Sequence, residues 1–315
     1  MYLRTTVRAA LAALSLALTA TAAAAGPWVL AANEFQASLG GSYFSAGSFY
    51  DASGERILVG GLAERRAIQT DVEFSAKSWL GMRLALPIVS ATARDNVTRS
   101  TFTNTGLGDL RIGLRVPVLR GATALAVNVD WQAPSGYNRD LAPLVADDMW
   151  KGAGAGLQKL EASLQLGMPV SNRGFLQLGG GYRHEGLVFG SRKIGGSPSD
   201  PELDWADHLT ADASFGLWFS DRLLVAGVYR GEYAGATGRQ VVGPSSTPVD
   251  YEVTTQLAGS RIVYRVDDKL DFVVGSWHSP GGTHVMHLDQ FYAGLAWKST
   301  RLNRLQGFLG NAQRP

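Results

Sequence analysis

The sequence has no cysteine, few charged residues and, after its first 25 residues, no apolar run long enough for a membrane-spanning helix. Charged residues make up 18% of the 315 residues and hydrophobic residues 45%. The absence of cysteine excludes a disulfide scaffold, and this hydrophobic fraction excludes an intrinsically disordered chain. The 29 basic and 27 acidic residues nearly cancel, leaving a formal charge of +2. The sequence therefore predicts no binding to nucleic acid.

The first 25 residues have the three parts of a secretory signal peptide. Arg4 and Arg8 precede an apolar run over residues 9–18, and small residues follow up to Ala25. A membrane anchor would need about 20 strongly apolar residues, so we interpret residues 1–25 as a cleaved signal peptide. The mature chain then begins at Gly26, outside the cytoplasm.

Glycine is abundant, and the hydrophobic residues alternate with polar ones. The 38 glycines exceed the usual share of about 7% and follow no fixed period, which favours turns and closely packed strands over collagen. Residues 208–219 show the alternation: Leu209, Phe215 and Leu217 share one parity, while His208 and Asp212 share the other. Period-2 alternation predicts strands with one apolar and one polar face.

Twelve segments of this kind follow residue 26, and their lengths suit strands of about 9–11 residues that cross a membrane at a tilt. They are residues 33–44, 66–78, 81–93, 108–118, 123–134, 157–169, 175–185, 208–219, 223–235, 253–265, 270–279 and 290–299. A change of apolar parity within 253–265 predicts a bulge near residues 259–261.

Short and long connections alternate between these segments. Short turns follow the even-numbered strands and long loops, including residues 133–156 and 186–207, follow the odd-numbered ones. With an even strand count, this asymmetry predicts an all-β fold: a transmembrane, antiparallel up-and-down β-barrel of the outer-membrane type over residues 26–300. The alternative is a secreted β-sandwich, which would have to bury the charged strand faces.

Aromatic residues near the strand ends support the membrane interpretation. Two belts of aromatic side chains are expected where a barrel crosses the two bilayer interfaces. The predicted interface aromatics are Tyr43, Trp79, Trp131, Tyr182, Phe219, Tyr233, Trp277 and Trp297. The expected location is the cell outer membrane of a Gram-negative bacterium, with membrane lipids, lipopolysaccharide and the barrel-assembly machinery as partners.

The polar parity predicts a lumen lined by equal numbers of bases and acids. The bases are Lys77, Arg83, Arg111, Arg115, Lys159, Arg183, Arg230 and Lys298, and the acids are Asp71, Glu73, Asp109, Asp130, Glu161, Glu185, Asp212 and Glu232. Such a set can form ion pairs that only rigidify the wall, or it can line a weakly charge-selective path for a small solute.

A cluster of histidines near the end of the chain raises the question of catalysis. His278 and Ser279 are adjacent, with His284, His287 and Asp289 nearby. Neighbouring residues of a strand point to opposite faces, so His278 is not placed to activate Ser279. The histidines lack a rigid ligand spacing, and we predict neither catalysis nor a metal or other cofactor.

The residues T-G-L-G-D-L-R-I-G-L-R at 105–115, together with residues 28–30, 33–35 and 49–51, resemble the outer-membrane proteins of the MetA-pathway of phenol degradation family. This resemblance implies a barrel of the twelve-stranded type that takes up small, often hydrophobic or aromatic compounds across the outer membrane.

The end of the chain carries two further features. Tyr292, Gly294 and Trp297 have the spacing of a barrel-assembly signal in the closing strand. Residues 301–315 form a tail with apolar residues at helical spacing, which predicts either a short amphipathic helix or a disordered end.

We expect a porin-like channel for passive uptake of small organic solutes, and not an enzyme. The alternatives are a non-conducting structural or surface-interaction barrel and, less favoured, an outer-membrane hydrolase that uses His278 and Ser279.

Overall fold

The structure is a computed structural model that describes most of the chain after residue 26. The described residues are 27–95, 99, 101–133, 135, 158–186, 192–193, 202–203, 207–234, 238–242, 245–249, 253–283 and 285–299. The predicted signal peptide, the tail at 301–315 and most of the loop at 133–156 lie outside them. Within the described residues, no helix is long and apolar enough to cross a membrane.

The described residues form strands that follow one another along the chain. They are β1 (Glu34–Tyr50), β2 (Arg56–Lys77), β3 (Leu80–Asp95), β4 (Thr101–Leu107), β5 (Leu110–Leu119), β6 (Ala124–Ala133), β7 (Gln158–Pro169), β8 (Gly174–Gly186), β9 (Arg192–Lys193), β10 (Glu202–Leu203), β11 (His208–Trp218), β12 (Leu223–Ala234), β13 (Gly238–Val242), β14 (Ser245–Val249), β15 (Val253–Arg265), β16 (Leu270–Thr283) and β17 (Val285–Lys298).

Antiparallel pairing closes the long strands into a barrel. β17 pairs with β1, and β2 pairs with both β1 and β3, so the ring of long strands closes. β4 and β5 pair with successive parts of β3 and together occupy one strand position. The result is a closed barrel of 12 strands, which confirms the predicted outer-membrane fold.

The two faces of each strand have the polarity expected for a membrane barrel. In β11, the apolar side chains Leu209 and Phe215 are 58% and 46% exposed, while Ser214 and His208 are buried inside the barrel. Apolar side chains face outward because lipid surrounds the barrel. Polar side chains face inward, where they fill much of the lumen and contact one another. This polarity excludes the β-sandwich alternative.

The connections follow the predicted alternation only in part. The five short turns after β2, β5, β7, β11 and β15 lie at one end of the barrel, as predicted. At the other end, however, three of the six predicted long loops are short connections. The first is residues 51–55, the second is residues 96–100 and the sixth is residue 284 alone. Backbone pairing continues beyond the alternating segments because it does not require an apolar face, so β1 to β3 extend past their predicted ends and β4 lies within a predicted long loop.

Three long connections remain at this external end, at residues 134–157, 187–207 and 235–252. The last two contribute the short strands β9, β10, β13 and β14, which form a separate small sheet. The end with the short turns is the periplasmic end in barrels of this type.

The bulge predicted near residues 259–261 is wrong. β15 pairs with β12 without interruption through this stretch, and the irregularity lies between Gln256 and Ala258, opposite β16. The apolar parity changes because Val253 and Leu257 face the barrel interior, where they join a buried apolar cluster. The larger apolar residues of β15 thus face inward in its first half and mostly outward in its second half, without a change of register.

Candidate functional site in the barrel lumen

The inner wall carries a group of ion pairs on β2, β3 and β5. Asp71 and Glu73 lie two residues apart on β2, so both point inward. Arg83 Nε donates to Asp71 Oδ2 at 2.8 Å, and Arg115 Nη1 donates to Glu73 Oε1 at 3.0 Å. Arg115 Nε also donates to Asn128 Oδ1 at 2.7 Å. The predicted bases and acids of these strands are therefore joined pairwise across the wall.

A second group lies on the opposite part of the wall. Arg183 Nη1 on β8 donates to Glu232 Oε1 on β12 at 2.9 Å. Arg230 Nε donates to the same oxygen at 2.9 Å, and an Arg230 Nη2 to Glu161 Oε2 distance of 3.7 Å extends the network to β7. Glu232 is thus held between two guanidinium groups.

The remaining predicted lining residues occupy several environments. Asp109 is buried and accepts a hydrogen bond from Gln132 Nε2 at 2.9 Å, and Lys159 is also buried. Lys77 is exposed at the periplasmic end of β2, next to the turn. For Glu185 the structure describes the backbone, which pairs with Lys159, and the side chain lies outside the described part.

Between the two groups lies a cavity of about 140 Å³. Its lining includes Arg111, Asp130, Asp212, Arg261, Trp277 and Tyr292. Arg111 makes no ion pair with the described residues, unlike Arg83 and Arg115. Guanidinium, carboxylate and aromatic groups therefore meet in one small space, so a molecule in this cavity can form both polar and aromatic contacts.

Glycine shapes this part of the wall. A Cβ atom at Gly113 on β5 would lie 2.5 Å from Asp130 Oδ1 on β6, and one at Gly179 on β8 would collide with the Asp212 carboxylate. Both aspartates therefore lie close to the neighbouring strand, where only glycine leaves room for them. Part of the high glycine content thus serves to fit charged side chains within a narrow barrel.

Apolar layers lie inside the barrel above and below the cavity. The external cluster includes Phe44, Phe49, Leu257, Val285 and Leu288. The periplasmic cluster contains Phe175, Leu224, Val263, Val273 and Tyr292, with Trp28 and Trp218 packed against it. Trp277 packs against both clusters. The lumen is therefore a polar zone between two apolar zones, which the alternation of the sequence did not predict.

Trp277 corrects one sequence prediction. It was expected among the lipid-facing aromatics, but it lies on the same face of β16 as the buried Val273 and lines the central cavity. β16 is apolar on both faces, since Phe272 is exposed on the other one. Alternation alone therefore could not assign its parity.

The other predicted interface aromatics occupy the outer wall and the turns. Tyr43, Trp131, Tyr182 and Tyr233 lie toward the external ends of outward-facing rows, and Trp79, Phe219 and Trp297 lie at the periplasmic ends or turns. All but Trp131 are more than a third exposed. Their positions follow the two levels at which a bilayer meets water.

The segment that precedes β1 enters the periplasmic end of the barrel. Pro27 is fully buried, and Trp28 packs edge-on against Phe175 with ring centroids 6.2 Å apart. A Cβ atom at Gly167 on β7 would lie 2.5 Å from Pro27 Cγ, so the segment lies directly against the inner wall. The sequence analysis did not predict this feature, although the apolar triplet at 28–30, just after the predicted cleavage site, could have indicated it.

His278 and Ser279 do not form a nucleophilic pair. His278 is exposed on the outer face and hydrogen-bonded to Asp289, whereas Ser279 is fully buried. A general base must lie within hydrogen-bond reach of the hydroxyl group that it activates. These two side chains point to opposite sides of the wall.

Solved structures with the same fold include outer-membrane proteins. The COG4313 outer membrane channel from Pseudomonas putida F1 is 12% identical with a TM-score of 0.67, and the match covers 87% of this chain and 98% of that one. The translocator domain of the autotransporter NalP from Neisseria meningitidis is 13% identical with a TM-score of 0.52, covering 84% and 88%. The transport unit of the autotransporter AIDA-I from Escherichia coli is 10% identical with a TM-score of 0.52, covering 93% and 97%.

No family model and no curated relative matches the sequence. At these low identities the similarity to solved structures shows the fold alone. That fold, a closed 12-stranded barrel with an apolar outer face, places the chain in the outer membrane. Membership of the phenol-degradation family stays a prediction.

Proposed function

We propose that the protein is a passive outer-membrane channel for small organic solutes, including hydrophobic and aromatic ones. The observation that carries this proposal is the central cavity, in which charged and aromatic side chains line the same space. A purely structural barrel needs only ion pairs and apolar packing inside. A cavity with Arg111 outside those pairs goes beyond that requirement.

The composition of the cavity supports organic solutes over simple ions. Trp277 and Tyr292 offer ring faces, and Arg111 and Arg261 offer guanidinium groups. An aromatic ring stacks on such surfaces, and a polar substituent on the ring finds a charged partner beside them. The apolar layers on either side would favour the same class of solute during entry and exit.

A non-conducting barrel is the competing function, and one observation favours it. The N-terminal segment packs inside the periplasmic end, and the external cluster fills part of the other end. If both layers are rigid, the cavity is closed and the barrel acts through its outer wall or its external loops.

Solute uptake into liposomes tests the proposal. The purified mature barrel is reconstituted in vesicles, and the entry of radiolabelled benzoate is measured against that of gluconate, with protein-free vesicles as the baseline. We expect the barrel to accelerate benzoate entry more than gluconate entry, and Arg111→Gln to reduce the benzoate rate. Arg66→Gln is the matched control, because Arg66 lies on the outer face opposite Tyr43. Entry rates equal to the protein-free baseline for both solutes would favour the non-conducting barrel.

A further inference from the structure

Two histidines and one aspartate meet on the outer face of the barrel near its external end. His278 on β16 and Asp289 on β17 are direct partners in the antiparallel pairing. His287 lies two residues before Asp289, and therefore on the same face of β17. Phe291, two residues further along this row, is 63% exposed, which identifies the face as the outer one.

The three side chains converge on a small volume. His278 Nδ1 lies 2.6 Å from Asp289 Oδ1, and His287 Nδ1 lies 4.0 Å from Asp289 Oδ2. The two imidazole rings meet edge to face with centroids 4.9 Å apart. One ligand atom from each of the three residues can be chosen so that all lie within 4.8 Å of one another.

This donor set suits a divalent transition metal. Imidazole nitrogens and a carboxylate are the ligands of many zinc sites, with bonds of about 2.0–2.2 Å. With these bond lengths and tetrahedral angles, the ligand atoms around a zinc ion lie roughly 3.4 Å apart. The observed separations of 2.6 and 4.0 Å lie on either side of this value. Small side-chain rotations would bring the three atoms into position and leave a fourth position open.

His287, the least exposed of the three residues, is held in place by Tyr50. The His287 side chain is 5% exposed, and its ring packs against Tyr50 with centroids 5.8 Å apart. Tyr50 Oη in turn donates to the carbonyl oxygen of Ser279 at 2.8 Å, next to His278. Tyr50 therefore links the strands that carry the two histidines and holds the His287 ring in place.

The same wall offers a natural comparison. His184 Nδ1 lies 2.6 Å from Asp207 Oδ1, and both side chains are exposed to a similar degree as His278 and Asp289. Within the described part of the chain, however, only the cluster at 278, 287 and 289 brings three such ligands together. A His–Asp pair without a third ligand is an ordinary surface contact.

We propose that His278, His287 and Asp289 form a binding site for a divalent transition-metal ion of the Zn²⁺ class. This site revises the prediction of no metal, which rested on the irregular sequence spacing of the histidines. The strand register supplies the order that the spacing lacks, because it places residues 278 and 289 side by side. A bound ion would cross-link β16 and β17 below their external turn.

Zinc binding to the purified full barrel tests this site. The protein is produced without a polyhistidine tag, stripped of metal and titrated with Zn²⁺ in detergent in competition with a chromogenic chelator. We expect one saturable equivalent per chain. His278→Gln and His287→Ala should each weaken binding at least tenfold, since even the loss of a group supporting a ligand costs about 10- to 100-fold.

His184→Ala is the matched control and should leave Zn²⁺ affinity unchanged. Resistance to unfolding by detergent at room temperature verifies that each variant is folded, and the exposed His278 decides the result if the His287 variant does not fold. The proposal is overturned if the unmodified barrel binds no saturable Zn²⁺, if neither cluster variant weakens binding, or if His184→Ala weakens it equally.

Discussion

Arg183 on β8 and Glu232 on β12 form an ion pair across the intervening strand β11. Arg183 Nη1 donates to Glu232 Oε1 at 2.9 Å, and the side chains are only 4% and 1% exposed. Arg230 donates to the same carboxylate at 2.9 Å. Since burial of an unpaired charge is costly, each of these groups depends on the others.

Removal of the Glu232 charge should destabilise the barrel strongly. Glu232→Gln removes the carboxylate that contacts both Arg183 and Arg230, and the loss of one partner of a buried pair costs about 3–5 kcal/mol. The measurement is the free energy of unfolding in urea. The folded and unfolded fractions are read from their different electrophoretic mobilities.

The exposed pair of Arg94 and Glu64 is the control for this effect. Arg94 Nη2 lies 3.1 Å from Glu64 Oε2, but the arginine side chain is 54% exposed. Arg94→Gln removes the exposed partner of this pair and should cost at most about 1 kcal/mol, as is usual for surface pairs. Equal losses in the two variants would show that burial does not determine the strength of the Arg183–Glu232 pair.

Displacement of the N-terminal segment should widen the periplasmic opening. A Cβ atom at Gly167 would lie 2.5 Å from Pro27 Cγ, so Gly167→Leu forces the segment away from the wall. The single-channel conductance of the Gly167→Leu variant should exceed that of the unmodified barrel. Gly180→Leu is the control, because Gly180 faces outward and a Cβ there would lie 3.7 Å from its nearest neighbour. Unchanged conductance in Gly167→Leu would show that this segment does not limit flow.

Neutralisation of Arg111 should shift ion selectivity toward cations. Its guanidinium lines the cavity and makes no ion pair with the described residues. One charge acts on an ion 4 Å away in water with about 1 kcal/mol, so the permeability of each ion should change by up to about fivefold, upward for cations and downward for anions. The reversal potential of Arg111→Gln in a salt gradient measures this change, with Arg66→Gln as the outer-face control. A shift toward anions would contradict the assignment.

The turn between β15 and β16 should make stability depend on acid pH. The N–H groups of Lys269 and Leu270 donate to Asp267 Oδ1 at 2.7 and 2.9 Å and hold the pKa of Asp267 below its usual value. A lowered pKa in the folded state adds stability above the unfolded pKa of about 4, and this contribution is lost as the pH falls through the folded value. Asp267→Asn should lower the unfolding midpoint at pH 7 and leave a smaller difference from the unmodified barrel at pH 3. A difference that grows at pH 3 would contradict this sign.

The sequence predicted the strands and the periplasmic turns well, because membrane-spanning strands must alternate in polarity along their length. It did not predict the extended external ends of β1 and β2, where no lipid imposes that alternation. It also misplaced Trp277, since β16 is apolar on both faces.

The interior of the barrel was harder to predict than its outer wall. The alternation of the sequence placed both Arg183 and Glu232 inside the barrel. It did not predict their ion pair, because β11 lies between their two strands and alternation shows which face a residue lies on, not which residue it contacts. The cluster of His278, His287 and Asp289 likewise depends on the register between β16 and β17. Register is a property of the assembled sheet, so local sequence patterns could not supply it.

Single-channel recording in a planar lipid bilayer tests the proposed channel most directly. The purified mature barrel is added to one side of the bilayer in a salt gradient, and current is recorded at fixed voltage. The account predicts discrete, reproducible conductance steps with weak ion selectivity, and larger steps for Gly167→Leu. Silence from folded barrel, in the unmodified protein and in Gly167→Leu alike, would contradict the channel and favour a closed structural barrel.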